Sequence, residues 1–276
     1  MKISRKVFIF ILYTLLLFTT KLAFADEPIL VIDPQGHSSM IRDVMFTPDG
    51  AILISVSDDK TIRLWDVETG DLIKTIRGQI GAGTEGKLFT GALSSDGESL
   101  AVGGYIYDGI YTHIRLFDIE SGEQIGLLKG HTNSIADLAF SLDGRWLASS
   151  SGDETVRIWD VARQKEIAKL EGHTDIVCNV AFSPDCEKVV SVSDDNAGIL
   201  WDWRNQKIIK KLEKHSDDAN AVAFASNGRY LVSGGDDDKI LLWDGNGNFM
   251  KEVDTYSGNV YAISFSADSK KIGSKS

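Results

Sequence analysis

The chain has 276 residues, with 29 Lys and Arg against 40 Asp and Glu, for a formal charge of −11. With 43% hydrophobic residues, 26 glycines and 4 prolines it is neither disordered nor fibrous, and its acidity argues against nucleic acid or anionic lipid as a ligand. Two cysteines, Cys178 and Cys186, are too few for a disulfide framework.

In chain order, Lys2, Arg5 and Lys6 precede the apolar run VFIFILYTLLLF (Val7 to Phe18), and Ala23-Phe24-Ala25 follows it. A basic head, a short apolar run and an A-x-A end predict a signal peptide over residues 1–25, cut after Ala25. An uncleaved amino-terminal anchor is the alternative, but the run is shorter than the ~20 residues of a membrane-crossing helix. Residues 26–276 are thus expected as a periplasmic or secreted domain of formal charge −15, with no stable membrane anchor. PILVID (Pro28 to Asp33) reads as a strand.

A repeat follows. GHTNSIADLAFSLDGRWLASSSGDETVRIWD, from Gly130 to Asp160, has counterparts starting at Gly36, Gly172 and Lys214. In each, Ser follows His by 18 residues, Asp by 22 and Trp by 28. The quartets are His37, Ser55, Asp59, Trp65; His131, Ser149, Asp153, Trp159; His173, Ser191, Asp195, Trp201; and His215, Ser233, Asp237, Trp243. A turn (TPDG, SSDG, SLDG, SPDC, ASNG, SADS) recurs from positions 47, 94, 141, 183, 225 and 266, a period of 41 to 47 residues. Each repeat reads as four short strands, in the third SIADLAFS, RWLASSS, TVRIWD and KEIAKL. With Cys178 in a strand and Cys186 in the next turn, the two thiols stand too far apart to bridge, and Cys178 reads as a small core residue.

Two repeats depart from the pattern. The second, Gly81 to Asp118, has no Gly-His and no quartet, and Phe117 replaces Trp. It carries insertions at Gly78 to Lys87 and at Tyr105 to His113. The sixth supplies NVYAISFS and KKIGSKS without a third strand.

Antiparallel strands at this period, opened by Gly-His and closed by Trp-Asp, resemble the blade of the WD-repeat β-propeller family. The resemblance covers residues 27–276. It implies an all-β fold, a propeller of five complete four-stranded blades plus a truncated sixth, occupying residues 26–276. It also implies that each quartet is a hydrogen-bond chain, from the Trp indole to Ser, Ser to His and His to Asp. The signal peptide with QIGAGTEGKLFTGALSSDGESLAVGGY is similar to the amino-terminal propeller of bacterial secreted WD-repeat proteins. Some of those carry a caspase-like peptidase domain, but this chain has no peptidase motif. An unclosed propeller would leave long unpaired strand edges, so residues 26–276 alone are expected to associate.

His, Ser and Asp are also the members of a hydrolytic triad. Four identical triads in one ring are implausible, whereas four structural staples are expected, so no catalytic residue is assigned. The innermost strands show no cluster of His or acids that would mark a site in the channel. The acidic runs SDDK, SDDN and GDDDK lack the spacing of a calcium loop, and no cofactor or metal is expected. The expected function is a non-enzymatic protein-binding scaffold, exported from a bacterial cytoplasm. The alternative is a sensing or substrate-docking part of a larger secreted hydrolase. The candidate partner surface is the second-repeat insertion, with Tyr105, Ile106, Tyr107, Ile110 and Tyr111, rimmed by Asp58, Glu154, Asp194, Asp236 and Asp238. It would take a basic protein or peptide, unless the insertion instead packs over the blade that lacks a quartet.

Overall fold

The computed structural model describes residues 36–77, 85–106, 109, 111–253 and 258–276. The signal peptide, PILVID, most of the first insertion, Tyr107 and Ile110 lie outside the described residues. The described chain forms strands and turns only. Blade 1 comprises β1 (Ile41–Phe46), β2 (Ile52–Ser57), β3 (Thr61–Asp66) and β4 (Leu72–Arg77). Blade 2 has β5 (Lys87–Leu93), β6 (Ser99–Tyr105), β7 (Thr112–Asp118) and β8 (Gln124–His131). Blade 3 has β9 (Ile135–Phe140), β10 (Trp146–Ser151), β11 (Thr155–Asp160) and β12 (Lys165–Glu171). Blade 4 has β13 (Val177–Phe182), β14 (Val189–Ser193), β15 (Gly198–Asp202) and β16 (Lys207–Leu212). Blade 5 has β17 (Ala219–Phe224), β18 (Tyr230–Gly235), β19 (Ile240–Asp244) and β20 (Phe249–Val253). A sixth, two-stranded sheet joins β21 (Ala262–Phe265) and β22 (Ile272–Lys275). Five four-stranded antiparallel blades and one partial blade are therefore present, each pairing its strands in chain order.

The recurring turn sets the link between first and second strands. In blade 3, Ser141 Oγ donates to Asp143 Oδ1 (2.6 Å), and the same hydroxyl accepts from Trp146 N (2.9 Å). Gly144 then takes φ +68°, the left-handed conformation that glycine adopts without steric cost. In blade 4 that position is Cys186 at φ +58°, which carries the strain of a side chain in the same turn.

In blades 2 to 5 the second and third strands are apolar on both faces because each of these blades is sandwiched between two others. Val189 and Val190 are consecutive in β14, so they point to opposite sides. Val189 packs with Val156 and Ile158 of blade 3, and Val190 with Val222 and Leu231 of blade 5. Each neighbouring pair of blades shares one such apolar layer.

The innermost strands add polar ties across those layers. Asp43 Oδ2 accepts from Gly91 N of blade 2 (3.0 Å). Asp137 Oδ2 accepts from Val180 N (3.0 Å) and Asn179 Nδ2 (2.8 Å) of blade 4, while Thr90 Oγ1 donates to Asp137 Oδ1 (3.2 Å). Asn179 Oδ1 in turn accepts from Val222 N of blade 5 (3.0 Å). The inner strands thus do carry interacting acids, contrary to the sequence expectation. Burial raises the Asp43 carboxyl, and burial together with the Asp43 charge drives Asp137 up to about 7. Both carboxylates are committed to backbone amides, which gives them a structural use.

Cys178 also departs from expectation. It is only partly buried, and its thiol donates to Asp194 Oδ1 (2.7 Å), whereas Cys186 is the buried cysteine. Both are free thiols.

Candidate interaction surface

The four quartets meet in space with one geometry. His Nδ1 lies 2.8–2.9 Å from the Asp carboxylate in all four. His Nε2 lies 2.7–2.9 Å from the Ser hydroxyl. The Trp indole donates to that same hydroxyl at 2.8–3.0 Å. The second and third strands supply Ser and Trp, the turn between them supplies Asp, and the segment entering the blade supplies His; antiparallel pairing sets Ser149 of β10 opposite Arg157 of β11, two residues before Trp159.

Charge fixes the proton positions. Burial lowers the His131 imidazole below its ordinary value against the pull of Asp153. Burial would raise Asp153, but hydrogen bonds from His131, Thr155 and Thr132, with the attraction of His131, hold it well below the carboxylate range. A neutral His therefore donates Nδ1–H to an ionised Asp and accepts the Ser O–H at Nε2, a tautomer assigned from the network. That relay matches a hydrolytic triad, but its surroundings do not. Ser149 and Ser191 are 0% exposed and capped by indole N–H donors, so no substrate carbonyl can reach these hydroxyls.

The rim above the channel is where side chains reach solvent. On the innermost strand of each four-stranded blade one residue is bulged out of register, among them Arg42, Cys178 and Asn220. A bulge re-aims its side chain, here toward the acid just before the quartet Asp. In blade 1, Arg42 pairs with Asp58 through two bonds (2.8 and 3.0 Å), and Lys87 adds a third at 3.2 Å. In blade 4 the neutral Cys178 thiol meets Asp194, and in blade 5 the neutral Asn220 amide bonds Asp236. Asp175, Asp217 and Asp218 join them. Burial and the charges of Asp194, Asp217, Asp236 and Asp175 together raise the Asp218 carboxyl. Burial, the Asp194 hydrogen bond and the surrounding negative charge likewise hold the Cys178 thiol protonated.

The sequence-based candidates divide. Tyr105 and Tyr111 are 36% and 40% exposed. Ile106 is 1% exposed and packs with Leu88, Leu100 and Phe117, so it is a core residue and offers nothing to a partner. Its carbonyl accepts from His113 N (2.9 Å), which extends the ladder into the insertion and turns Ile106 inward. Asp58 was expected in an acidic rim, but its charge is spent on Arg42 and Lys87. Asp175, Asp217 and Asp218 were missed. The run SDD in KHSDDAN was the available signal, obscured because blade 4 supplies half of the cluster.

Blades of four antiparallel strands around a common axis, four of the five pinned by a buried indole–hydroxyl–imidazole–carboxylate chain, define a repeat β-propeller. The family model "WD domain, G-beta repeat" matches residues 27–66, 122–160, 164–202 and 206–244, more than half of the chain. The chain belongs to the WD-repeat family. It is 34% identical over 116 residues to the target of rapamycin complex subunit wat1 of Schizosaccharomyces pombe, covering 41% of this chain and 33% of that protein. It is 32% identical over 140 residues to the nuclear distribution protein PAC1 of Arthroderma otae, covering 44% and 29%. A 29% identical stretch of 163 residues aligns with mouse apoptotic protease-activating factor 1, covering 48% and 13%. The chain thus aligns with a third or less of the length of these curated relatives.

Proposed function

We propose that the chain is a non-enzymatic scaffold, exported from a bacterial cytoplasm, that binds a basic segment of a protein partner at the rim of blades 4 and 5. The uneven neutralisation of the rim carries this reading. One acid in blade 1 has two cationic partners, whereas Asp194 and Asp236 have only neutral ones and stand beside Asp175, Asp217 and Asp218. Such a concentration of negative potential steers cationic partners to one place. The relatives support a scaffold in general terms, since the name of the fission-yeast protein makes it a subunit of a complex. Export rests on the basic head, apolar run and A-x-A end of residues 1–25.

An Arg- and Lys-rich peptide, labelled and titrated by fluorescence anisotropy, is expected to bind the wild-type chain with an affinity that falls steeply with salt. Asp194→Asn with Asp236→Asn should weaken it about tenfold or more, at unchanged melting temperature. Equal binding by that variant, or equal binding of a Glu-rich peptide, would sink the reading.

A further inference from the structure

Departures from the repeat gather at the end of blades 3 and 4 that faces away from the acidic rim. First and third strands both run from the rim to that far end, so Phe182, the turn after it and the residues that follow Asp202 lie there together. The second residue of the recurring turn is Pro, Ser or Ala in the other repeats, but Leu142 in blade 3. Leu142 is 66% exposed and packs in none of the apolar layers between blades. After the Trp-Asp or Phe-Asp that closes the third strand come Val67, Ile119, Val161 and Gly245 in the other blades, whereas blade 4 has Trp203 followed by Arg204. Trp146, preceded by Arg145, stands where the other blades have Ile52, Ser99, Lys188 and Tyr230.

These residues meet. Trp146 and Trp203 pack edge to face between the two blades, with 5.5 Å between ring centroids, and Phe182 stands edge-on to Trp203 at 6.2 Å. A guanidinium lies over each indole, Arg145 over Trp146 and Arg204 over Trp203, both at 4.3 Å. Trp203 Nε1 and Arg204 Nη1 both donate to Cys186 O (3.1 and 3.0 Å), which fixes the second stack. Both arginines are exposed, and neither makes an ion pair among the described residues. Asp143 and Asp160 lie near Arg145, and Asp202 near Arg204, but these carboxylates are taken up in their own turns by Ser141, Arg163 and Asn205. On its channel side Phe182 borders an apolar pocket of about 370 Å³. Its walls are the Ala-Phe pairs that end β9, β13 and β17, with Leu142 and Pro184 beside them, and none of the described residues that line it is charged.

We propose that this face docks an acidic protein segment bearing one aromatic side chain, which enters the pocket while flanking carboxylates meet Arg145 and Arg204. Charge complementarity selects this occupant. Guanidinium groups present planar forks that match carboxylate oxygens, and stacking on an indole holds each fork in place. Tryptophan and arginine are also the side chains that most often carry binding energy at protein interfaces. The spacing suits an extended chain. Phe182, Trp203 and Trp146 follow one another at 6.2 and 5.5 Å, close to every second residue of a strand that rises ~3.3 Å per residue. Acids about two to four residues from the aromatic side chain therefore reach the two guanidiniums. The site does not depend on the acidic rim, which takes the opposite charge at the other end of the blades.

A labelled peptide of Glu and Ser residues with one central Phe, titrated into the purified protein by fluorescence anisotropy, tests this. Saturable binding that weakens with added salt is expected. Arg145→Gln with Arg204→Gln should weaken it about tenfold or more, as should replacing the peptide's Phe by Ala. Leu142→Ser should also bind more weakly. That side chain is exposed in a turn, so its variant gives the answer even where loss of the arginines disturbs the stacks. Asp194→Asn with Asp236→Asn, at the opposite end, should not weaken this binding. No saturable binding, or Leu142 and arginine variants that bind as tightly as the parent, overturns the proposal. Self-association in sedimentation velocity that Leu142→Ser abolishes would give the face to a second copy and overturn it too. Basic-peptide binding at the blade 4–5 rim is unaffected by any of these results, so the two readings fail separately.

Discussion

Asp153→Ala is expected to lower the unfolding free energy by roughly 1–3 kcal/mol, the cost of leaving buried donors without their acceptor. One carboxylate there serves several donors at once: His131 Nδ1 (2.9 Å), Thr132 N (3.0 Å), Thr155 N (3.2 Å) and Thr155 Oγ1 (2.6 Å). Removing it strands the imidazole, with Ser149 and Trp159 aligned behind it. Asp153→Asn keeps an acceptor and should lose less. The effect depends on pH in a defined direction. The folded-state carboxyl lies below its ordinary value, so its contribution is fully present above about pH 4 and fades as the pH falls further. The gap between wild type and Asp153→Ala should therefore narrow in acid. Urea unfolding at pH 7 and pH 3 measures it. A loss below about 1 kcal/mol at pH 7 would show that water replaces the carboxylate and that the quartet is no staple.

The opposite sign is expected at Asp137. Its carboxyl is raised to about 7, chiefly by burial. Between about pH 4 and pH 7 the folded chain keeps a proton that the unfolded chain has released, so stability from this group falls as the pH rises through that window. Asp137→Asn removes the charge and keeps an oxygen for Val180 N. It should stabilise the protein at pH 8 by roughly 2–4 kcal/mol and have little effect at pH 4. Denaturant melts of both proteins at the two pH values decide the matter. A variant no more stable than wild type at pH 8 would mean that the ionised carboxylate is well solvated in the channel.

The two sites differ in how far the sequence discloses them. The quartets were legible because their spacing is invariant. One blade closes each chain, so His131 and Trp159 must be 28 residues apart wherever the unit recurs, and four copies repeat the message. The inner-strand ties were not legible. Asp43, Thr90, Asp137 and Asn179 share a position but not a chemistry, and three of them are tied to a backbone amide of the next blade, which no side-chain pattern marks. Ile106 was misread for a related reason. Its exposure depends on how far the β6–β7 ladder runs into the insertion, and composition alone does not say where a ladder stops.

The inner-strand ties end at Ala221, whose methyl group offers no acceptor to the sheet that follows. Blade 5 holds that sheet by a small apolar layer of Val232, Ile240 and Val260, with Val260 N bonded to Gly235 O (3.0 Å) and Asn227 N to Ser269 Oγ (3.3 Å). The molecule therefore has a built-in order of opening. The amides of β21 and β22 should exchange with deuterium through a local detachment, while those of β13 and β14 wait for global unfolding. Mass spectrometry of exchanged peptides would show protection stepping down between Phe224 and Ala262. A level profile across that boundary would mean that the sixth sheet opens only with the rest.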